Sequence, residues 1–144
     1  MTNVALVARK LAVLQDYVQR LGQRRPATAA ALRADALVQD AIGMSVLVVV
    51  QEAMDIALHI ASDEGWEIAS TYRDAFVVLA RHGVISDELG ASLGGAVQLR
   101  NRIAHGYASV DVDRLWSELP TGIASFAEFA RAIARFLDAA SGAG

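Results

Sequence analysis

Apolar residues in the first part of the chain recur with a helical period. They follow one another at alternating spacings of three and four residues and so lie on one face of a helix: Val4, Val7, Leu11, Leu14, Val18 and Leu21. A helix with such a seam packs nearly parallel to a partner helix. The pattern predicts a first helix of about five turns. It should end near Gly22, since Pro26 follows and proline disfavours helical geometry in the residue before it.

A second helical region follows. Residues 28–62 keep a helical period and are predicted to form one helix or two. The cluster at residues 46–50 contains four valines and could be read as a strand. Its flanks are helical in pattern, and Gly43 alone is a weak helix breaker, so the cluster is predicted to be part of a buried central helix.

Local start and stop signals define the rest of the chain. Thr71 and Ser86 are good N-caps for two further helices, the second beginning near Asp87. Residues 112–119 predict a short helix before Pro120, and apolar residues between 126 and 137 predict a final one. The fold class is therefore all-α, an up-and-down bundle of four to five main helices. Residues 1–144 are expected to form a single domain with a flexible tail at 139–144.

Gly90, Gly94 and Gly95 lie inside the helix that begins near Asp87. They call for an explanation, since each costs about 1 kcal/mol relative to alanine. Gly90 and Gly94 lie one turn apart. They predict the close approach of another helix backbone, within the subunit or across a dimer interface. Gly106 is predicted to end the helix in left-handed geometry.

Composition limits the chemistry and the compartment. The chain has no cysteine and only three histidines, which argues against a disulfide framework or a zinc shell, so no metal is expected. The start of the chain lacks the pattern of a secretory signal, and the cytoplasm is the expected compartment. The apolar run at residues 41–50 is too short for a bilayer, which needs about 20 residues, so no membrane association is expected.

Charge is unevenly distributed along the chain. The net charge is -3, but residues 1–34 hold six basic side chains and one acid, a balance of +5. Residues 35–144 hold seven arginines and fifteen acids, a balance of -8. Residues 89–110 contain no acid and include Arg100 and Arg102. If these arginines bind a phosphate backbone, the basic amino-terminal segment should fold near them, because neutralising phosphates supplies much of the affinity.

Residues 100–107 read Arg-Asn-Arg-Ile-Ala-His-Gly-Tyr and carry the strongest chemical signal. Imidazole titrates near neutral pH, and guanidinium stays charged and holds phosphate through two parallel hydrogen bonds. The two groups together suit phosphodiester cleavage. In a regular helix, however, Arg100 and His105 point about 140° apart. Either Gly106 ends the helix and lets His105 and Tyr107 swing, or two subunits present the segment across a twofold axis.

The spacing of arginine, four residues, histidine, one residue and tyrosine resembles the motif of HEPN-fold ribonucleases, specifically the HepT-like toxins. The resemblance continues in the family's order through residues 55–60, 71–76 with 83–85, and 126–130. It covers most of the chain.

The resemblance implies a metal-independent endoribonuclease toxin of a type VII-like toxin-antitoxin pair, working without a cofactor as a homodimer with a shared cleft. His105 would act as general base or acid on the ribose 2′-hydroxyl or the leaving oxygen. Arg100 would stabilise negative charge at phosphorus. Asn101, Arg102 and Asp55 would support the site or bind RNA.

The resemblance also implies regulation at Tyr107. In HepT-like pairs the antitoxin is a minimal nucleotidyltransferase that adds AMP units to this tyrosine. The added phosphate would occupy Arg100 and repel the RNA backbone.

Two other functions remain open from the sequence. The chain could be a non-catalytic HEPN module that binds RNA or a nucleotide through the same arginines. It could also be a structural helical dimer whose polar motif holds two subunits together. Replacing His105 distinguishes the three.

Overall fold

In the computed structural model, residues 1–106 and 110–142 are described, and this part of the chain contains six helices and no strand. The helices are α1 (Val4–Arg24), α2 (Ala29–Arg33), α3 (Ala36–Asp63), α4 (Tyr72–Arg81), α5 (Asp87–His105) and α6 (Val112–Gly142). Five main helices and the short α2 make up the predicted all-α bundle. Region 28–62 is divided into α2 and α3.

The central helix is α3, which contacts every other helix. Twelve of its residues are buried. Its 28 residues are long and apolar enough to cross a membrane by length and composition, which the shorter run at 41–50 did not suggest. A core helix passes the same test, and 56% of the most apolar window of α3 is buried inside the bundle. The apolar character of α3 is thus used for packing between helices, as the sequence predicted.

Short polar side chains set the start of most helices. At five helix starts the side chain accepts a hydrogen bond from the backbone N–H three residues further on: Asn3, Thr28, Asp35, Thr71 and Ser86. Thr71 and Ser86 therefore act as the N-caps that the sequence predicted. Gly65 and Gly83 follow α3 and α4 with φ of 71° and 78°, the left-handed geometry that glycine adopts without strain.

The prediction of two separate helices around Pro120 is wrong, because α6 continues through this residue. A proline inside a helix leaves the carbonyl four residues earlier without its helical partner. Here that carbonyl belongs to Trp116, and it accepts a hydrogen bond of 3.0 Å from Arg25 Nε. The Arg25 guanidinium also lies 3.9 Å from the centroid of the Trp116 ring. Arg25, the residue after α1, thus provides the hydrogen bond that the Trp116 carbonyl loses because of Pro120.

The carboxyl-terminal end of α6 reaches Gly142. Residues 139–142 of the predicted flexible tail are therefore helical, and residues 143–144 lie outside the described part of the chain.

The α5 glycines differ in what they accommodate. A Cβ at Gly90 would lie 3.5 Å from the Phe76 carbonyl oxygen, so the predicted backbone approach occurs here, within the subunit and from α4. At Gly94 the neighbour is instead the Arg73 side chain, whose Nε lies 2.8 Å from the position of an added Cβ. Gly106 follows α5 with φ of 166°. Its backbone is extended, so the predicted left-handed cap is wrong.

An ion-pair cluster joins the loop after α3 to the end of α4. Glu67 pairs with His82 Nε2 at 2.9 Å and with Arg81 Nη1 at 2.8 Å. The His82 ring stacks on Trp66 with 4.1 Å between the ring centroids. The hydrogen bond from His82 is the largest cause that lowers the pKa of Glu67 from 4.5 to about 2, and the hydrogen bond from Arg81 adds to it.

Glu67→Gln is expected to reduce stability at neutral pH and to lose this effect in acid. Because the pKa of Glu67 is lowered on folding, the carboxylate stabilises the folded state above about pH 4.5, and the stabilisation disappears as the pH falls towards about 2. Urea unfolding of both proteins at a series of pH values measures the difference. Glu128→Gln, at an exposed position on α6, is the control. A difference that stays constant across the acid range would contradict the prediction.

Candidate active site

The guanidinium of Arg100 is held by two neutral amides. Arg100 is half-buried on α5, and its Nη2 donates to Gln51 Oε1 on α3 at 3.1 Å. Its Nη1 donates to Asn101 Oδ1 at 3.1 Å. Its Nε is buried and has no hydrogen-bond partner among residues 1–106 and 110–142. In the same residues no carboxylate lies within 4.0 Å of Arg100. Neutral acceptors orient this cation and leave its charge available to an anion.

A chain of polar contacts continues from Arg100 to α1. Gln51 Nε2 donates to Asp55 Oδ1 at 2.9 Å, and Asp55 Oδ2 lies 3.4 Å from Lys10 Nζ. Lys10 also lies 3.7 Å from Glu52, a contact too long for a hydrogen bond. Among the described residues, Asp55 is therefore connected to Arg100 through Gln51. In the same part of the chain, the cation that directly contacts the acids on α3 is Lys10.

Gln51 was not among the residues selected from the sequence. It precedes Asp55 by one helical turn on a helix that is otherwise apolar, so the two polar side chains share a face. This spacing was the feature of the sequence that could have identified Gln51 as part of the site. A glutamine is a weaker signal than a charged residue, since a buried amide is a smaller departure from the apolar pattern.

His105 is the last residue of α5, and its side chain is exposed. The helix does not end early enough to turn it, so helical geometry keeps Arg100 and His105 about 140° apart. The sequence left two arrangements open, and the one in which the end of the helix lets His105 turn towards Arg100 does not occur. Tyr107 lies outside the described residues. Within one subunit, the structure therefore does not bring Arg100 and His105 together.

Asn101 and Arg102 have different environments. Asn101 is half-buried and accepts from Arg100, and the described contacts contain no hydrogen bond from Asn101 to His105. Arg102 is exposed. No group of three His, Asp or Glu side chains that could hold a metal ion occurs in the described ranges.

The basic amino-terminal segment is largely engaged inside the chain. Lys10 lies beside two carboxylates, those of Asp55 and Glu52, so its charge is compensated there. Arg20 pairs with Asp16, Arg33 with Asp113, and Arg25 stacks on Trp116. Only part of the +5 balance predicted to assist RNA binding is therefore free for that purpose.

A family model described as Ribonuclease HepT-like matches residues 14–133. The chain belongs to the HepT-like ribonuclease family. As a member it is a ribonuclease, the enzyme class that the motif and its surroundings predicted. The mRNA nuclease HepT of Shewanella oneidensis is 26% identical over 108 residues, which cover 75% of this chain and 80% of the relative. The tRNA nuclease HepT of Aphanizomenon flos-aquae is 26% identical over 89 residues, which cover 62% of this chain and 60% of the relative.

Solved structures share the fold. The tri-AMPylated HEPN toxin of Shewanella oneidensis, in complex with its MNT antitoxin, superposes with a TM-score of 0.83 at 24% identity. The match covers 94% of this chain and 99% of the toxin. YutE, a cytosolic Bacillus subtilis protein of unknown function, superposes with a TM-score of 0.82 at 12% identity. This match covers 96% of this chain and 92% of YutE. These likenesses confirm the HEPN-like bundle.

Proposed function

We propose that this HepT-like ribonuclease is a metal-independent endoribonuclease toxin of a type VII-like toxin-antitoxin pair, working in the cytoplasm as a homodimer. The observation that carries the proposal is the half-buried Arg100, oriented by Gln51 and Asn101 with no carboxylate beside it in the described residues. A cation held in this way can stabilise charge that develops on a phosphate. The relatives named as mRNA and tRNA nucleases support RNA as the substrate.

In the proposed reaction His105 removes the proton from a ribose 2′-hydroxyl. The freed oxygen attacks the neighbouring phosphorus, the bond from phosphorus to the 5′-oxygen breaks, and the leaving oxygen takes up a proton. A 2′,3′-cyclic phosphate and a 5′-hydroxyl result. Arg100 stabilises the negative charge on phosphorus during the attack, and neither role requires a metal or cofactor. Cleavage of total RNA by purified protein in EDTA, together with growth arrest on expression, tests this function.

A dimer supplies what one subunit lacks, since Arg100 and His105 diverge on α5. The outer face of α3 exposes Leu37 (82%) and Met44 (58%). Helices α3 and α5 are antiparallel, because Arg100 meets Gln51 while Val97 lines a cleft with Leu58. His105 therefore lies towards the Met44 end of α3. A second copy packed on this apolar face brings the two α5 ends together, so Arg100 of one subunit can work with the partner subunit's His105.

Met44→Asp is expected to convert the dimer into a monomer and to abolish cleavage, because it places a charge in the apolar contact. Light scattering should give a mass that falls from twice 15.3 kDa to 15.3 kDa. Val13→Asp, at a 40% exposed position on α1, should remain dimeric and active. A wild-type monomer that cleaves RNA would rule out the composite site.

The proposed antitoxin is a nucleotidyltransferase that transfers AMP to Tyr107. The AMPylated toxin of Shewanella oneidensis bound to an MNT antitoxin supports this partner. The assignment to Tyr107 rests on the motif spacing.

Tyr107→Phe is expected to take up no label from ATP labelled in its α-phosphate, because the phenylalanine ring has no oxygen to accept AMP. The wild-type chain should be labelled by its antitoxin and should lose ribonuclease activity as labelling proceeds. The other two tyrosines, Tyr17 and Tyr72, provide the controls Tyr17→Phe and Tyr72→Phe. Undiminished labelling of the Tyr107 variant would reject this residue as the acceptor.

A further inference from the structure

A cleft of about 410 Å³ lies next to the proposed active site. Its walls come from α3, from the segment that leads into α4, and from α5. Leu58 and Val97 are apolar residues of its lining, and Tyr72, Arg73 and Asn101 contribute polar groups. The volume falls in the range of about 300–1,000 Å³ typical of ligand pockets. The cleft is thus large enough for part of a nucleic-acid strand.

Arg73 lies against a glycine of α5, between this cleft and a second depression that Asp87 and Gly90 also line. An added Cβ at Gly94 would lie 2.8 Å from Arg73 Nε and 3.0 Å from its Cγ. Any larger residue would push the arginine side chain away from α5. The helix accepts the cost of an interior glycine here, and the space is used for a cationic side chain rather than for a neighbouring backbone.

The charge of Arg73 is not neutralised by an ion pair in residues 1–106 and 110–142. The adjacent acid, Asp74, faces away from the cleft. Asp74 accepts a hydrogen bond from Ser70 and lines a separate depression with Arg81. Arg73 is exposed and therefore accessible to an anion in solvent.

The cleft is continuous with the proposed active site through Asn101. Asn101 lines the cleft, and its Oδ1 accepts the hydrogen bond from Arg100 Nη1. Beside Arg73, the Tyr72 side chain is 44% exposed. An arginine for the backbone and an open aromatic ring are the two parts of sites that bind single-stranded nucleic acid.

We propose that this cleft binds the single-stranded RNA segment next to the cleaved phosphodiester. Arg73 contacts a phosphate, and the Tyr72 ring stacks on a base. The proposal rests on the proposed ribonuclease function and adds a binding subsite to it. Stacking does not depend on base identity, so the subsite adds affinity with little sequence preference.

The test measures affinity for a short labelled single-stranded RNA of mixed sequence by fluorescence anisotropy, in a His105→Ala background that prevents cleavage. Arg73→Gln should weaken binding several-fold and lower the salt slope by about 0.7, as the loss of one phosphate contact to a single strand does. Tyr72→Ala should weaken binding on the order of tenfold, and Tyr72→Phe should keep the affinity because it keeps the ring. Arg81→Gln, on the same helix but outside the cleft, is the matched control.

A pair of glycine variants tests the position of Arg73 against α5 without removing its charge. Gly94→Ala places a methyl group against the flexible end of Arg73 and should reduce RNA affinity in a folded protein. Gly95→Ala, where an added Cβ meets nothing within 4 Å, should leave the affinity unchanged. In the cleaving protein, Arg73→Gln should raise KM with little change in kcat, as expected for a residue that binds substrate and transition state equally.

The outcomes separate the subsite from the ribonuclease function. If the wild-type chain cleaves RNA while Arg73→Gln and Gly94→Ala keep full affinity, the subsite is wrong and the ribonuclease stands. If these variants lose dimerisation or antitoxin binding and keep RNA affinity, the cleft is a protein interface and the proposal is overturned. If the wild-type chain neither binds nor cleaves RNA, both proposals fail.

Discussion

His105→Ala is expected to abolish growth arrest and to reduce RNA cleavage by roughly 10²–10⁴-fold, the contribution typical of a general acid or base. The side chain is exposed at the last residue of α5 and has no hydrogen bond in the described part of the chain. Its removal should therefore leave the fold unchanged. The loss would come from proton transfer alone.

The measurement pairs induced expression with cleavage of total RNA by purified protein in EDTA. Circular dichroism and light scattering check fold and assembly. His82→Ala is the control, because His82 stacks on Trp66 and is not part of the motif. This variant should cleave RNA as the wild type does. RNA affinity should survive in the His105 variant.

Other results would favour the two alternative functions. A folded, dimeric wild-type protein that binds RNA without cleaving it, with or without His105, would identify a binding module. If His105→Ala weakens the dimer and the wild-type chain neither binds nor cleaves RNA, the motif is structural. Full cleavage by the His105 variant would remove this residue from the chemistry and leave Arg100 as the remaining candidate.

Arg100→Lys is expected to lower kcat on the order of 10²-fold with a small change in KM. Lysine keeps the charge, but its donors share one nitrogen, so it cannot replace both Nη1 beside Asn101 and Nη2 beside Gln51. It also lacks the planar fork that holds a phosphate. Removal of one oriented donor to a developing anion typically costs about 10²–10³-fold. Single-turnover cleavage at saturating protein isolates this step.

Arg102→Lys is the matched control, two residues away on the same helix and exposed. It should retain cleavage close to that of the wild type. Equal losses in both variants would mean that the contacts of Arg100 with Gln51 and Asn101 give it no special role among the arginines of α5, and no loss in either variant would mean that positive charge alone is sufficient. A loss confined to KM in Arg100→Lys would make Arg100 a binding residue and leave stabilisation of the phosphorus centre unsupported.

The course of the helices was predictable because its signals are local. A hydrophobic period repeats within a few residues, and an N-cap such as Thr71 or Ser86 acts on an N–H only three residues away. The 100–107 motif was equally visible in the sequence, and so was the family. Local rules failed at Pro120, where the sequence predicted a helix end, because a residue from the end of α1 compensates the interrupted hydrogen bond.

The surroundings of the motif could not be read from the sequence. Arg100 and Gln51 are 49 residues apart, and Lys10 and Asp55 are 45 apart. The Arg73 side chain lies against Gly94, where the sequence had suggested a helix backbone. Such pairs depend on how helices pack and in which register, and a helical period specifies only which face is buried. The sequence by itself determined the helices and the chemical groups of the motif, whereas tertiary packing decided which neighbours orient them.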